Sequence, residues 1–237
     1  HITINTNKCS VLGLHGRFPS SNNSYFLNTC PLTSSDPIRD LGILINDNLS
    51  YKSHINSIVS KSLQRVGILF RGFLCRDLHF LRKAFITYVR PLIEYNSILW
   101  SPNQKKYIDL IEKVQRRFTK RIPYLHKLPY LDRLKTINLP SLELRRLHFD
   151  LFYYYKILHN LTDINPDYFF TYHNPLSSLR QNLPIVTTPL SSTSKYLSTL
   201  PFRSLSCWNF LPFTLRNQTS FISFKLAVES MDLSSFL

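Results

Sequence analysis

The chain has 237 residues, 43% hydrophobic and 18% charged, which is enough apolar material for one large or two small domains and too much for wholesale disorder. Five glycines and no G-x-G-x-x-G or G-x-x-x-x-G-K-[ST] string exclude a glycine-cradled nucleotide site, and no run of eighteen apolar residues exists to span a membrane. The net charge of +15 is concentrated: residues 50–146 hold 20 of the 29 Lys and Arg but 6 of the 14 Asp and Glu. Charge packed this way implies a polyanionic partner, nucleic acid ahead of an anionic membrane surface, with a merely solvated basic surface as the plain alternative. The chain opens on His1 without an apolar leader, so it reads as a piece of a longer, intracellular and not secreted protein. Cys9, Cys30, Cys75 and Cys207 lie far apart and read as scattered thiols, not a disulfide frame or zinc site.

In chain order, residues 1–48 read as short strands: Ile2 and Ile4 alternate with polar neighbours, and Tyr25-Phe26-Leu27 and Leu41-Gly42-Ile43-Leu44-Ile45 are apolar runs. Turn-formers at 19–24 and 34–37 separate them. From about residue 50 the period becomes helical, with Ile55, Ile58, Val59, Leu63, Val66, Leu69 and Phe70 on one stripe. Asp77 is the expected N-cap of a second helix through Leu78, Leu81, Phe85 and Val89, which Pro91 must kink or end.

Ser101-Pro102-Asn103-Gln104 has the look of a capping box opening the next helix. On its wheel Tyr107, Ile111, Val114, Phe118 and Ile122 fall within roughly 80°, and Lys113, Arg116, Arg117 and Lys120 fall opposite within roughly 100°. An outer face without Glu forgoes i,i+4 pairing and costs stability, a cost that function would explain. A further helix is expected from Ser141 to about His159, with Asn160 as its stop. The Pro- and Ser-rich stretch 162–199 reads as an irregular connector, and order signals return at Phe202, Leu205, Trp208, Phe210 and Leu211 and from Phe221 to Val228.

No complete catalytic constellation occurs. There is no H-E-x-x-H, no G-x-S-x-G and no adjacent pair of acids for metal-dependent phosphoryl transfer. The S-x-x-K match at 192–195 lacks companion motifs. Asp36, Asp40 and Asp47 could at best cap turns. Alone, the chain does not read as a complete enzyme.

Several strings, in order, resemble the reverse transcriptases of LINE-type (non-LTR) retrotransposons, the jockey-like elements in particular. Asn5-Thr6-Asn7-Lys8-Cys9 resembles the family's motif D, Arg39-Asp40-Leu41-Gly42-Ile43 the string near its primer grip, and His54-Ile55 its H-I. Tyr88-Val89-Arg90-Pro91-Leu92-Ile93-Glu94-Tyr95, then Trp100-Ser101-Pro102, resembles Y-V-R-P-x-L-E-Y…W-x-P. Glu112 to Lys120 resembles E-x-V-Q-R-R-F-T-K, and Phe202-Arg203 with Trp208-Asn209-Phe210-Leu211-Pro212 resembles F-x-x-R…W-N-x-L-P. Leu179-Arg180-Gln181 departs from the family's T-R-G, and the family's F/Y-x-D-D turn, which carries its magnesium-binding aspartates, falls ahead of His1.

The resemblance implies a mainly α fold: a β remnant of a palm at 1–49, a basic helical thumb-like bundle at 50–161, the connector at 162–199 and a C-terminal segment at 200–237. It implies the nucleic-acid-gripping end of an RNA-directed DNA polymerase, inactive by itself. Its partners would be an RNA template and a DNA primer, with dNTP reached only through the missing palm and no membrane partner. No cofactor belongs to this stretch, and Mg2+ is implied for the parent polymerase, which would work in the nucleus and a cytoplasmic ribonucleoprotein. Lys8 would be an accessory motif D lysine, or a solvated surface residue. Asp40, Leu41 and Gly42 would approach the primer end, or form a plain turn. Lys61, Arg65, Arg71, Lys113, Arg116, Arg117, Lys120, Arg145 and Arg146 would contact phosphates, with pairing near Glu143 or to Asp150 as the equal alternative for Arg145. Arg90 and Glu94 are expected to tie a kinked helix together, Trp100 and Trp208 to anchor the core, and Tyr153 to point outward. A standalone basic helical binding module and a decayed, functionless remnant are the alternatives.

Overall fold

The computed structural model describes residues 4–14, 25–173, 185–187 and 199–237, and they form a mainly helical protein with small strand pairs. Ile2, the turn at 19–24, Leu179-Arg180-Gln181 and the S-x-x-K string at 192–195 lie outside the described residues. The chain divides into two compact units, His1–Lys61 and Ser62–Leu237.

In the first unit, β1 (Ser10–Val11) pairs in parallel with β4 (Thr33–Ser34), and β2 (Phe26–Leu27) with β3 (Cys30–Pro31) antiparallel. β5 (Ile38–Asp40) and β6 (Ile43–Ile45) form a hairpin with Asp40 opposite Ile43. The apolar run expected from Leu41 therefore begins at Ile43. Leu41 and Gly42 are instead the two-residue turn, at φ 44° and 89°, the paired left-handed geometry that a tight hairpin requires. Gly42 meets it without a Cβ penalty. Asp36 does cap: its Oδ1 accepts from Asn46 Nδ2 at 3.3 Å and from the Asp47 N–H at 3.1 Å. α1 (Lys52–Gly72) begins in this unit, where the Leu44 N–H donates to Nδ1 of buried His54 at 3.4 Å. Burial, with Arg39 and Lys61 adding to it, holds the His54 pKa down to about 4, so the imidazole is neutral and able to accept.

In the second unit, α2 (Leu78–Ala84) starts as expected at Asp77, whose carboxylate accepts the Phe80 N–H at 2.8 Å. Pro91 neither ends nor sharply breaks the helical run that α2 begins. A π-helical turn, Phe85–Val89, lets the Arg90 N–H reach back to the Phe85 carbonyl, and α3 (Arg90–Glu94) carries the proline in its first turn. α4 (Ser97–Trp100) closes on Ser101, whose N–H bonds the Ser97 carbonyl at 2.8 Å. Ser101 thus ends one helix and does not open the next. α5 (Lys105–Lys120) starts later than the capping-box reading, with Gln104 at its N-cap and no side-chain cap bond.

α6 (Tyr130–Ile137) and α7 (Leu142–Leu158) both stop at a left-handed Asn, Asn138 and Asn160. In each the next N–H returns to a carbonyl five residues back: Leu139 to Leu134 at 3.0 Å, and Leu161 to Lys156 at 2.8 Å. Ser141 caps α7 as its sequence suggests, Oγ accepting from the Leu144 N–H at 3.1 Å. The connector is not wholly irregular: β7 (Thr171–His173) pairs antiparallel with β8 (Ile185–Thr187). The register sets Thr171 against Thr187, Tyr172 against Val186 and His173 against Ile185.

α8 (Leu200–Arg203), α9 (Leu205–Phe210), α10 (Phe213–Arg216) and α11 (Phe221–Ser230) follow in the C-terminal segment. Tyr154 stacks on Trp208 with ring centroids 5.5 Å apart and Tyr155 on Phe224 at 4.4 Å, so the C-terminal helices share one core with α7. Trp100 and Trp208 are buried anchors, and Tyr153 is the outermost of its three-tyrosine run. Both Tyr154 and Tyr155 donate their hydroxyls to carbonyls of that segment, those of Pro201 and Gln218. Among the described residues no helix is long and apolar enough to cross a membrane.

Candidate nucleic-acid interface

α5 is built from its inner side outward. Ile111, Val114, Phe118 and, just beyond the helix, Ile122 are buried, and Phe118 stacks on Phe85 at 4.3 Å. Three polar residues, Glu112, Gln115 and Thr119, are buried with them. The Glu112 carboxylate accepts the Leu142 N–H at 3.0 Å, sitting at the positive end of α7, and also accepts the Tyr130 hydroxyl. Gln115 donates to the Pro140 carbonyl at 2.9 Å. Burial first, then the Glu112 charge, pushes the Tyr130 phenol well above its usual range, so it stays protonated and donating. The inner side of α5 thus positions both α6 and α7.

With that face committed, Lys113, Arg116, Arg117 and Lys120 all stand exposed on the other. Lys113, Arg117 and Lys120 have no carboxylate partner among the described residues. Arg116 is less free: it lies 3.6 Å from Asp109 Oδ1 and over the Tyr130 ring at 5.1 Å, with Arg133 5.3 Å from the same ring. The row continues past the helix end. The Arg121 guanidinium lies 4.6 Å from the Phe70 centroid and that of Arg76 5.8 Å from it, two cations on one buried ring. Arg121 and Arg76 are not among the residues expected from sequence, and their signal is weak, since each is a lone arginine outside the helical stripe.

The other expected phosphate contacts divide. Arg71 is exposed in the last turn of α1, and Arg65 is exposed but donates to the Tyr88 carbonyl at 3.1 Å, beside the π-helical turn. Lys61 is exposed in the first unit, as are Lys8, at the end of a short 3-10 turn, and Asp40, Leu41 and Gly42, at the hairpin tip. Arg145 and Arg146 are turned toward the protein, against the expectation that they contact phosphates. Arg145 forks onto Glu94, with Nη2 to Oε2 at 2.9 Å, and lies over the Phe149 ring at 5.2 Å. Arg90 joins the same carboxylate at 3.5 Å, tying its helix as expected. Arg146 is 2% exposed. Burial lowers its guanidinium pKa while Glu112, Glu143 and Asp150 oppose the shift. Arg146 cannot reach a phosphate without leaving the interior, and half-buried Arg145 could do so only by giving up Glu94.

Three carboxylates are equally committed. Asp150 accepts Arg203 Nε at 2.7 Å and Nη2 at 2.6 Å and the Ser204 hydroxyl at 3.1 Å. With Glu94 and Glu112 likewise engaged, these acids do not converge on an ion, and no cluster of three or more His, Cys, Asp or Glu suited to a metal occurs among the described residues. What this arrangement can do is neutralise a row of phosphates without reading bases.

No protein-family model matches the chain, and no solved structure matches it. An uncharacterised protein of Caenorhabditis elegans is 27% identical over 188 residues, covering 73% of this chain and 92% of that protein.

Proposed function

We propose that the chain is the nucleic-acid-gripping, C-terminal portion of an RNA-directed DNA polymerase of the non-LTR retrotransposon kind. In this reading the outer face of α5 holds the phosphates of the RNA–DNA hybrid, while nucleotidyl transfer belongs to a palm encoded upstream. The observation that carries it is one helix whose inner side is fully committed to packing and whose outer side is four exposed cations. The ordered motif strings support the same reading, and many of their residues have structural work in the fold. Glu94, Glu112, Gln115, Trp100, Arg203 and Trp208 all tie helices together. Such residues would recur in any chain that keeps this scaffold.

Binding of a labelled RNA–DNA hybrid, titrated against salt, tests the interface. With Arg121 included, about five phosphates are neutralised, and log K falls with log salt at a slope near −4. Changing Lys113, Arg116, Arg117 and Lys120 together to Glu flattens that slope and abolishes binding at moderate salt. Unchanged binding in that variant removes α5 from the interface. The parentage has its own test, the reading frame 5′ of the His1 codon: an open frame with F/Y-x-D-D supports a polymerase, and a stop or an initiator without it overturns one.

One observation favours a second reading, a basic helical binding module that works without a palm. The worm protein is matched over 92% of its length, so most of it is accounted for by this stretch alone. An initiator codon close upstream, with the same salt-dependent binding, would select this reading.

A further inference from the structure

We propose that Tyr124 is a stacking platform for an unpaired nucleobase, so that the α5 surface prefers a single-stranded stretch or a duplex end to continuous duplex. This rests on the reading that α5 holds phosphates, and it names the form of nucleic acid that the same surface takes.

The loop after α5 runs Arg121-Ile122-Pro123-Tyr124-Leu125-His126-Lys127-Leu128-Pro129. It is pinned from within: Ile122 and Leu125 are buried, the Leu125 N–H bonds the Ile122 carbonyl at 3.3 Å and the Leu128 N–H the Leu125 carbonyl at 3.0 Å. Pro123 and Pro129 fix two further φ angles. Between these anchors Tyr124 takes φ 68°, a left-handed conformation that a large side chain rarely adopts. It is 89% exposed and makes no ring contact among the described residues. A held loop therefore displays a whole aromatic face to solvent.

The neighbourhood says what that face meets. From residue 113 to 131 there are six cations, Lys113, Arg116, Arg117, Lys120, Arg121 and Lys127, and no acid at all. A protein partner's apolar groove gains nothing from such a potential, whereas a polyanion does. Among polyanions, nucleic acid carries planar rings as well as phosphates, and an aromatic side chain stacks on any base whose face is open. Inside a duplex both faces are covered by neighbouring pairs, so Tyr124 finds a face only on a single strand or at an end.

Fluorescence anisotropy with a labelled single strand, the same strand made abasic, and a closed circular duplex without free ends tests this, and a matched RNA single strand shows which sugar is preferred. For Tyr124→Ala, single-strand affinity falls about tenfold, closed-duplex affinity stays within about twofold and the salt slope is unchanged, while Tyr124→Phe binds as the original chain does. The original chain discriminates against the abasic strand, and it changes the emission of a terminal 2-aminopurine, a readout that needs no variant. Equal single-strand binding by Tyr124→Ala, equal losses on strand and duplex, or no discrimination against the abasic strand overturns the stacking site while leaving the phosphate row standing. Absence of salt-dependent binding by the original chain to any of the three would overturn both readings.

Discussion

Arg116-Arg117 on α5 and Arg145-Arg146 on α7 are the same dipeptide on two helices that pack together, yet only the first pair faces solvent. α5 lies at the edge of its unit with a buried stripe on one side, so its second side is free to carry charge. α7 is enclosed, with nine of its residues buried, and its arginines must find carboxylates or rings inside the protein. Arg145 found Glu94 and the Phe149 ring, and Arg146 lies in the field of Glu112, Glu143 and Asp150. The work a cation does is decided by whether its helix keeps a wet face, and the local charge pattern does not reveal that.

The sharpest way to break the contrast is to remove a carboxylate that serves the enclosed helix. Asp150→Ala leaves the Arg203 guanidinium, whose side chain is 8% exposed, without its fork partner. Deleting one member of a buried pair costs about 3–5 kcal/mol. Thermal unfolding should fall by roughly 6–20 °C, at about 2–4 °C per kcal/mol for a chain this long. Far-UV circular dichroism on heating checks it. A variant that melts with the original chain would mean that α7 is not held by its ions.

These residues also show how much the sequence disclosed. The α5 stripe, the Asp77 and Ser141 caps and the Asn160 stop were legible because each is a local signal: a period, or one side chain near one N–H. An ion pair for Arg145 was one alternative, but its partner Glu94 was not legible, since it lies 51 residues away and nothing in the pattern points across that distance. The Leu41-Gly42 turn was one of two readings, because the apolarity of Leu41, which is 79% exposed at the hairpin tip, also counts toward a strand. Pro91 reads as a break in sequence because one π-helical turn absorbs a proline that a regular helix would expel. Tyr124 left a faint trace, an aromatic between two prolines among cations, which acquires meaning only once its exposure is known.

His54 extends the comparison to a base that burial discharges. Its pKa is about 4 in the fold against 6.5 free, so the unfolded chain takes up the proton first as pH falls. The stability that the neutral imidazole contributes is complete above pH 6.5, declines as pH falls from there, and is gone near pH 4. A depression of that size corresponds to up to about 3 kcal/mol, felt by the unit that holds the hairpin and the start of α1. His54→Asn offers Leu44 a similar acceptor that does not titrate, so its urea midpoint should stay flatter between pH 6.5 and 4 than that of the original chain. Parallel pH profiles for the two would remove His54 from the account.

The smallest effect is the most discriminating. Arg117 has no carboxylate partner among the described residues and buries nothing, so Arg117→Ala should change stability by no more than about 0.5 kcal/mol. If it holds one phosphate, the salt slope for hybrid binding drops by about 0.9. Arg145→Ala reverses both readouts: it leaves Glu94 with Arg90 alone and lowers the melting temperature, while the slope stays where it was. The two substitutions delete the same side chain from two helices in mutual contact, so a difference between them reports the environment and not the residue. Equal slopes in the two variants would remove Arg117 from the phosphate contacts, whatever the charge of its helix.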